Sequence, residues 1–266
     1  MQLYLYTKRI YTFMKRMLQL ASVLLLSIAC SKNDDPNADS DINEVAVGIN
    51  GMAEISYIGH SLLEGTRYEA VGCATVDSTA GLITLHFGTT DCVPPDGIAR
   101  RGSISVRFTD SVISNGSLYM VTADDYRING YIFNGDYKFT LLSTENNVQT
   151  VEGISDMIIR VPESNTNIIY ASTETQKIAM GYKDGNPDNN EITIAGTSGG
   201  NTPTGLGFNT NITEDLVYRF DCSYITKGRL SISSDSFETR ILTYGEGECD
   251  NKANEILDPI VRDITL

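Results

Sequence analysis

The sequence predicts an all-β chain of antiparallel strands, folded as a β-sandwich or as one curved sheet, and three observations carry that expectation. Short runs alternate apolar and polar residues, as in Ser103-Ile104-Ser105-Val106-Arg107-Phe108-Thr109, where a period of two puts Ile104, Val106 and Phe108 on one face. Ile83, Leu85 and Phe87 repeat the pattern, and so do Leu230 and Ile232 between Arg229, Ser231 and Ser233. Asn129-Gly130 and Asn134-Gly135, dipeptides that tolerate positive φ in tight hairpins, sit between aromatic-rich runs and predict an antiparallel meander. No stretch beyond residue 30 keeps a 3.6-residue period for a dozen positions, so any helix is expected to be short, near Ile58 to Glu64. Typical strand lengths then allow about a dozen strands or more.

Taken in order, the chain opens with a signal. From Met14 it reads MKRMLQLASVLLLSIAC: Lys15 and Arg16, an apolar run from Met17 to Leu26, small residues, then Cys30. The apolar run is well short of the ~20 residues that a membrane-spanning helix needs. Ser27-Ile28-Ala29-Cys30 resembles a bacterial lipobox, with Ser27 where Leu is usual, and marks Cys30 for lipidation and residues 1–29 for removal. The alternative is an ordinary secretory signal with a coincidental cysteine. Translation starts at Met1 or at Met14, and the residues leave that choice open. Residues 30–43, with SKNDDPNADSD after Cys30, are polar and acidic, and read as a flexible linker that buries too little surface to offset its ordering entropy. Ser31 to Asp35 resembles the lysine-plus-acid signal that sends Bacteroidota-type lipoproteins to the outer face of the outer membrane. Residues 44–266 form the expected β domain.

The formal charge is −14, and the segment before Cys30 holds Lys8, Arg9, Lys15 and Arg16 with no acid, so the exported part is more acidic still. Phosphate binding needs clustered Lys and Arg, which argues against nucleic acid as a partner. A polybasic membrane contact is equally disfavoured, leaving the lipid as the membrane attachment.

Setting Cys30 aside, Cys73, Cys92, Cys222 and Cys249 are an even set in an exported chain and predict two disulfides. Three pairings are formally open. A partial internal match favours the local one, Cys73 with Cys92 and Cys222 with Cys249. Leu85 to Cys92 aligns with Leu242 to Cys249 at Leu, aromatic-Gly and Cys, and each stretch has a cysteine upstream. The match is an internal duplication or a chance one, since half of the eight positions agree in type.

Two motifs carry a family resemblance. Phe87-Gly88, Cys92, Asp96-Gly97 and Arg101-Gly102-Ser103-Ile104 form the first, and Tyr244-Gly245-Glu246-Gly247-Glu248-Cys249-Asp250-Asn251-Lys252-Ala253, a YGxGxCDxxA pattern, the second. On these the chain resembles a family of uncharacterised Bacteroidota outer-membrane lipoproteins, across most of residues 44–266. The resemblance implies no activity. Where relatives often carry an acid before the aromatic-Gly pair, this chain has His86 and Thr243.

Candidate chemistry is sparse. Only His60 and His86 could serve as an imidazole base. The alternation around His86 puts it on a strand surface, and His60 follows Gly59 in an expected turn. No GxSxG, HExxH or phosphate-cradling glycine loop is present. Glu246, Glu248 and Asp250 form an acidic ridge or, preferably, a solvated turn beside a disulfide. Asp184, Asn186 and Asp188 are candidate oxygen ligands for calcium, but the EF-hand positions that need Gly and Glu hold Asn189 and Ala195. No zinc spacing appears, and no organic cofactor is expected. Tyr126, Tyr131 and Tyr137 are assigned to core and cross-strand packing.

The expectation is a surface-exposed, lipid-anchored outer-membrane protein serving binding or envelope architecture, with a glycan or an envelope protein as its partner class. A periplasm-facing carrier of lipid or another apolar ligand is one alternative, which predicts a deep apolar cavity. A glycan-acting hydrolase with paired carboxylates is the other. An enzymatic role stays open, with a non-enzymatic one preferred.

Overall fold

The structure, a computed structural model, describes residues 35–63, 65, 73–94, 96–109, 114–162, 164–179, 191–219 and 221–266. Its first element is a helix. Asp35 accepts the Asn37 amide on its side chain (2.9 Å) and the Ala38 amide on its backbone carbonyl (3.0 Å), which satisfies donors that a helix start leaves open. Pro36 costs nothing at such a start, and Asp39 and Asp41 complement the positive end of the helix. The helix, α1, runs over Ala38–Leu63. Gly65 follows it in a left-handed conformation (φ 66°), its amide bonded to the Leu62 carbonyl.

This helix corrects two expectations. Residues 38–43 belong to it and are not flexible linker, and the helix is 26 residues long where a short one was expected near Ile58. The physical reason is its surroundings. Nearly every residue from Gly48 to Leu62 is buried, so no apolar stripe faces a core while a polar stripe faces water, and the 3.6-residue signal vanishes. The polar side chains of its buried part, Asn50, Glu54, Ser56 and His60, are not solvated either; they bond to the sheet around it.

That sheet is a single antiparallel meander of thirteen strands in sequence order. The first seven are β1 (Thr75–Thr79), β2 (Leu82–Cys92), β3 (Arg100–Phe108), β4 (Leu118–Ile128), β5 (Tyr131–Glu145), β6 (Val148–Arg160) and β7 (Asn167–Ala179). The rest are β8 (Glu191–Asn201), β9 (Gly207–Arg219), β10 (Ile225–Ser233), β11 (Arg240–Glu246), β12 (Lys252–Leu257) and β13 (Ile260–Thr265). The all-β expectation with two disulfides therefore holds, in its curved-sheet form and not as a sandwich. One helix cannot touch so many strands of a flat sheet. Gly59 lies on Val121 of β4, Gly51 on Phe133 of β5, and Gly48 on Ile159 of β6 and Ile168 of β7. Tyr57 packs on Tyr218 of β9, and Asn50 accepts the Ile225 amide of β10 (2.8 Å). The sheet curls around α1, and its inward-facing residues form one apolar core with the helix. Along β7 the burial alternates strictly, Ile168, Tyr170, Ser172, Glu174, Gln176 and Ile178 facing inward.

Asn129-Gly130 makes the β4–β5 hairpin as expected, but Asn134-Gly135 does not turn the chain. It lies inside β5, opposite a bulge in β4, where the Asn134 side-chain carbonyl accepts the Asp125 amide (2.9 Å). Gly135 is needed there because a Cβ would sit 2.2 Å from the Asp156 carbonyl oxygen.

The disulfides are the local pair, Cys73–Cys92 and Cys222–Cys249. Cys73–Cys92 staples the end of β2 to the segment before β1, and Cys222–Cys249 joins the β9–β10 turn to the segment between β11 and β12; removing such a bridge typically costs about 2–5 kcal/mol.

Candidate functional site

Two polar assemblies mark this fold, one inside the sheet and one on its outer face. Inside, α1 is fastened at intervals along its length. Asp39 pairs with Arg240 (2.6 Å) and with Arg262, and Arg240 also holds the buried Glu255 (2.6 Å). Asp41 accepts the hydroxyls of Thr202 (2.5 Å) and Thr204. Glu54 accepts from the Arg100 guanidinium (2.7 Å) and from the Tyr126 hydroxyl, with Asp96 closing on Arg100 at 2.9 Å. Burial is the largest influence and alone would pull the Arg100 guanidinium down, but Glu54, Tyr126 and Asp96 together outweigh it and hold the group charged.

Near the end of the helix, Ser56 donates to the Gln176 carbonyl oxygen (2.6 Å) and His60 sits between Gln176 and Tyr119 (3.2 and 3.0 Å). The Gln176 amide nitrogen donates to Tyr137 and Glu174 (2.9 Å each), which fixes its orientation. His60 therefore carries its proton on Nε2, facing that carbonyl oxygen, and accepts from Tyr119 on Nδ1. Burial drags the imidazole down to about 4, against a smaller upward pull from its bond to Gln176. The same burial raises Glu174, against the hydrogen bonds it accepts, and, with the Glu174 carboxylate nearby, pushes Tyr137 well above its ordinary value. Ser56 and His60 are a nucleophile and a base in proximity, yet Ser56 gives its proton to Gln176, and both are sealed from solvent. The cluster locks helix to sheet.

The lock makes stability depend on pH. The unfolded chain protonates His60 near 6.5, whereas the folded chain resists until about 4, so acidification through this window favours unfolding. The loss amounts to about 3 kcal/mol between those limits. Glu174 works in the opposite sense, because its raised value makes the folded chain gain stability on protonation. Urea denaturation at several pH values should show a steeper acid loss for the native chain than for His60→Gln; parallel slopes would remove His60 as the cause.

On the outer face, β6 to β9 build a transverse groove. Their register sets Ser155 opposite Ser172, Ser172 opposite Ser198, and Ser198 opposite Thr210. These four hydroxyls point inward and pair off, Ser155 with Ser172 at 2.8 Å and Ser198 with Thr210 at 2.6 Å. Outside, one bordering row reads Ile154, Thr173, Thr197 and Asn211, and the next reads Asp156, Ala171, Gly199 and Asn209. A third row starts with Ile158 and Ile169, directly paired and, like Ile154, largely exposed. Because Ala171 and Gly199 are the small members between taller rows, the surface dips there into an open depression of about 530 Å³. Strand spacing makes it about 14 Å long across the four strands and about 13 Å between its flanking rows. Its lining carries no charged residue; at its β5 end Asp156 faces Asp136, itself bonded by Thr122 (2.6 Å), and Ile154 faces Lys138.

Of the residues singled out from sequence, Cys30, residues 1–29, Asp184, Asn186 and Asp188 lie outside the described residues. His86 is on the strand surface, 3.3 Å from Asp77. His60 is in α1 and not in a turn, because the chain continues helical through Gly59 to Leu63. Glu248 accepts the Glu246 amide (3.1 Å) in the turn before Cys249, and its backbone hydrogen bonds hold its carboxyl low. Among the described residues, no group of three or more His, Cys, Asp or Glu side chains could hold a metal. Tyr126 and Tyr137 are buried in the core. The groove is not legible in any one strand, because its small members Ala171 and Gly199 are brought together by cross-strand register.

No protein-family model, curated protein or solved structure matches this chain.

Proposed function

We propose that this is an exported, lipid-anchored protein of the cell surface whose β domain binds a partner through the groove on β6 to β9. One observation carries the reading: α1 fills the concave side of the sheet, while the outer face is open above Ala171 and Gly199. A carrier needs the volume that α1 occupies. A cavity between helix and sheet, bordered by Met52, Tyr137 and Glu174, holds about 20 Å³, room for one water. Glycoside hydrolysis needs two carboxyls flanking the bond to be cut, whereas Asp136 and Asp156 both stand at one end of the groove. Binding needs neither, and the groove lies within the size range of ligand sites. The N-terminal signal, Cys30 and the acidic segment after it support the anchoring and the surface placement.

Protease shaving of intact cells tests the placement. The mature chain is expected to be lost from intact cells, and Cys30→Ala to release it from the membrane fraction. Survival of the chain until the outer membrane is opened would overturn surface placement.

A further inference from the structure

We infer that the groove takes an uncharged glycan chain, a deepening that rests on the binding role proposed above. In a protein of net charge −14 the groove presents Ile154, Thr173, Thr197, Ala171, Gly199 and Asn209, and at the β5 end Lys138, opposite Ile154, is outnumbered by Asp136 and Asp156, so an anionic polymer meets a repulsive field along most of its length. A cationic ligand would find Asp156 and Asp136 at one end and no further carboxylate along the lining.

The strands under the groove are interior members of the sheet, and their backbone donors and acceptors are committed to neighbours on both sides. An extended peptide gains most of its affinity by pairing with a free strand edge, and none is offered here. The groove offers side-chain hydroxyls and a carboxamide that both donate and accept, which matches the hydroxyls of a sugar.

Ile154 on one side and Ile158 and Ile169 on the other are exposed apolar edges suited to the C–H faces of pyranose rings. The length of about 14 Å across four strands accommodates roughly three rings. The floor is preformed, since its own hydroxyls are paired beneath it and do not compete with the ligand. With no aromatic platform in the lining, each contact is weak, and many tethered copies on one surface would act together.

The test uses the full chain in mild detergent against short neutral oligosaccharides of gluco, manno and galacto configuration, and against the same backbones bearing uronate or sulfate groups. Binding is read by saturation-transfer NMR and affinity electrophoresis. Ala171→Phe fills the depression, Thr173→Val with Asn209→Ala removes donors without filling it, and Val76→Phe on β1 is a control of equal bulk. Ala171, Thr173 and Asn209 face outward and Val76 is 51% exposed on the edge strand β1, so near-ultraviolet circular dichroism should match the native chain. The expected result is binding of at least one neutral series, weakened at least ten-fold by both groove variants and unchanged by Val76→Phe. Anionic chains bound as well as neutral ones, yet lost in Ala171→Phe, would overturn the neutral class and leave the groove as a binding site. Neutral binding indifferent to Ala171→Phe would overturn the groove as its seat. Absence of binding across the panel would overturn the glycan, whereas surface placement is decided separately by the shaving experiment.

Discussion

Gly51→Leu should yield no folded protein, and Gly51→Ala a folded one weakened by about 1–3 kcal/mol, the usual cost of overpacking a core. Gly51 lies in the middle of α1 against Phe133, and a Cβ there would come within 2.2 Å of the ring's Cζ and 2.9 Å of Cε1. Phe133 has no free side to retreat to, since it is fully buried and packed beside Tyr126. A methyl group can be admitted by a small shift of the ring, but an isobutyl group cannot, and displacing α1 would break every tie between helix and sheet at once. Urea denaturation checks the alanine variant, and Gly51→Ala with Phe133→Leu should recover part of its loss. An unchanged midpoint for Gly51→Ala would mean that the helix is not held against β5 as described.

Arg240→Met carries the next largest expectation, a loss of about 3–5 kcal/mol, because it strands the buried Glu255. The Arg240 side chain is 1% exposed, bonded to both Asp39 and Glu255, while Arg262 reaches Glu255 only at 3.5 Å. The penalty comes from a buried carboxylate deprived of its main partner and not from the pair's own net worth. Arg240→Met combined with Glu255→Leu should therefore recover much of the loss. A double variant no more stable than the single one would show that the ion pair itself supplies the stability.

These two sites also show how far the sequence could be read. Strand alternation was legible wherever one face met water, as around Ile104, Val106 and Phe108, because burial and exposure then differ residue by residue. The cysteine pairing was legible from the match between the two cysteine-bearing stretches. The helix was not. Its sequence is rich in glycine and its polar residues, Asp39, Asp41, Asn50, Glu54, Ser56 and His60, fall on no single face, because their partners surround it. Those partners lie more than a hundred residues away in most cases, as with Ser56 and Gln176 or Asp41 and Thr202. Asn134-Gly135 misled for a related reason: a dipeptide suited to a hairpin was used to face a bulge. The groove was hidden because it depends on cross-strand register, which aligns Ala171 with Gly199, and nothing in a single strand reveals that.

The order of elements has a consequence for how the chain assembles. Each strand pairs with its sequence neighbour, so the meander can zip from hairpin to hairpin with short loops to close. The helix obeys a different clock. It emerges before every strand, yet Asp39 must await Arg240, 201 residues later, and Asn50 must await Ile225, 175 residues later. Among the described elements the first synthesised is fully tied only when the last strands arrive, and until β11 its apolar residues lack part of their cover. A chain cut short after β9 would keep most of its hairpins and still leave that segment exposed, which makes the last strands the step that commits the whole fold.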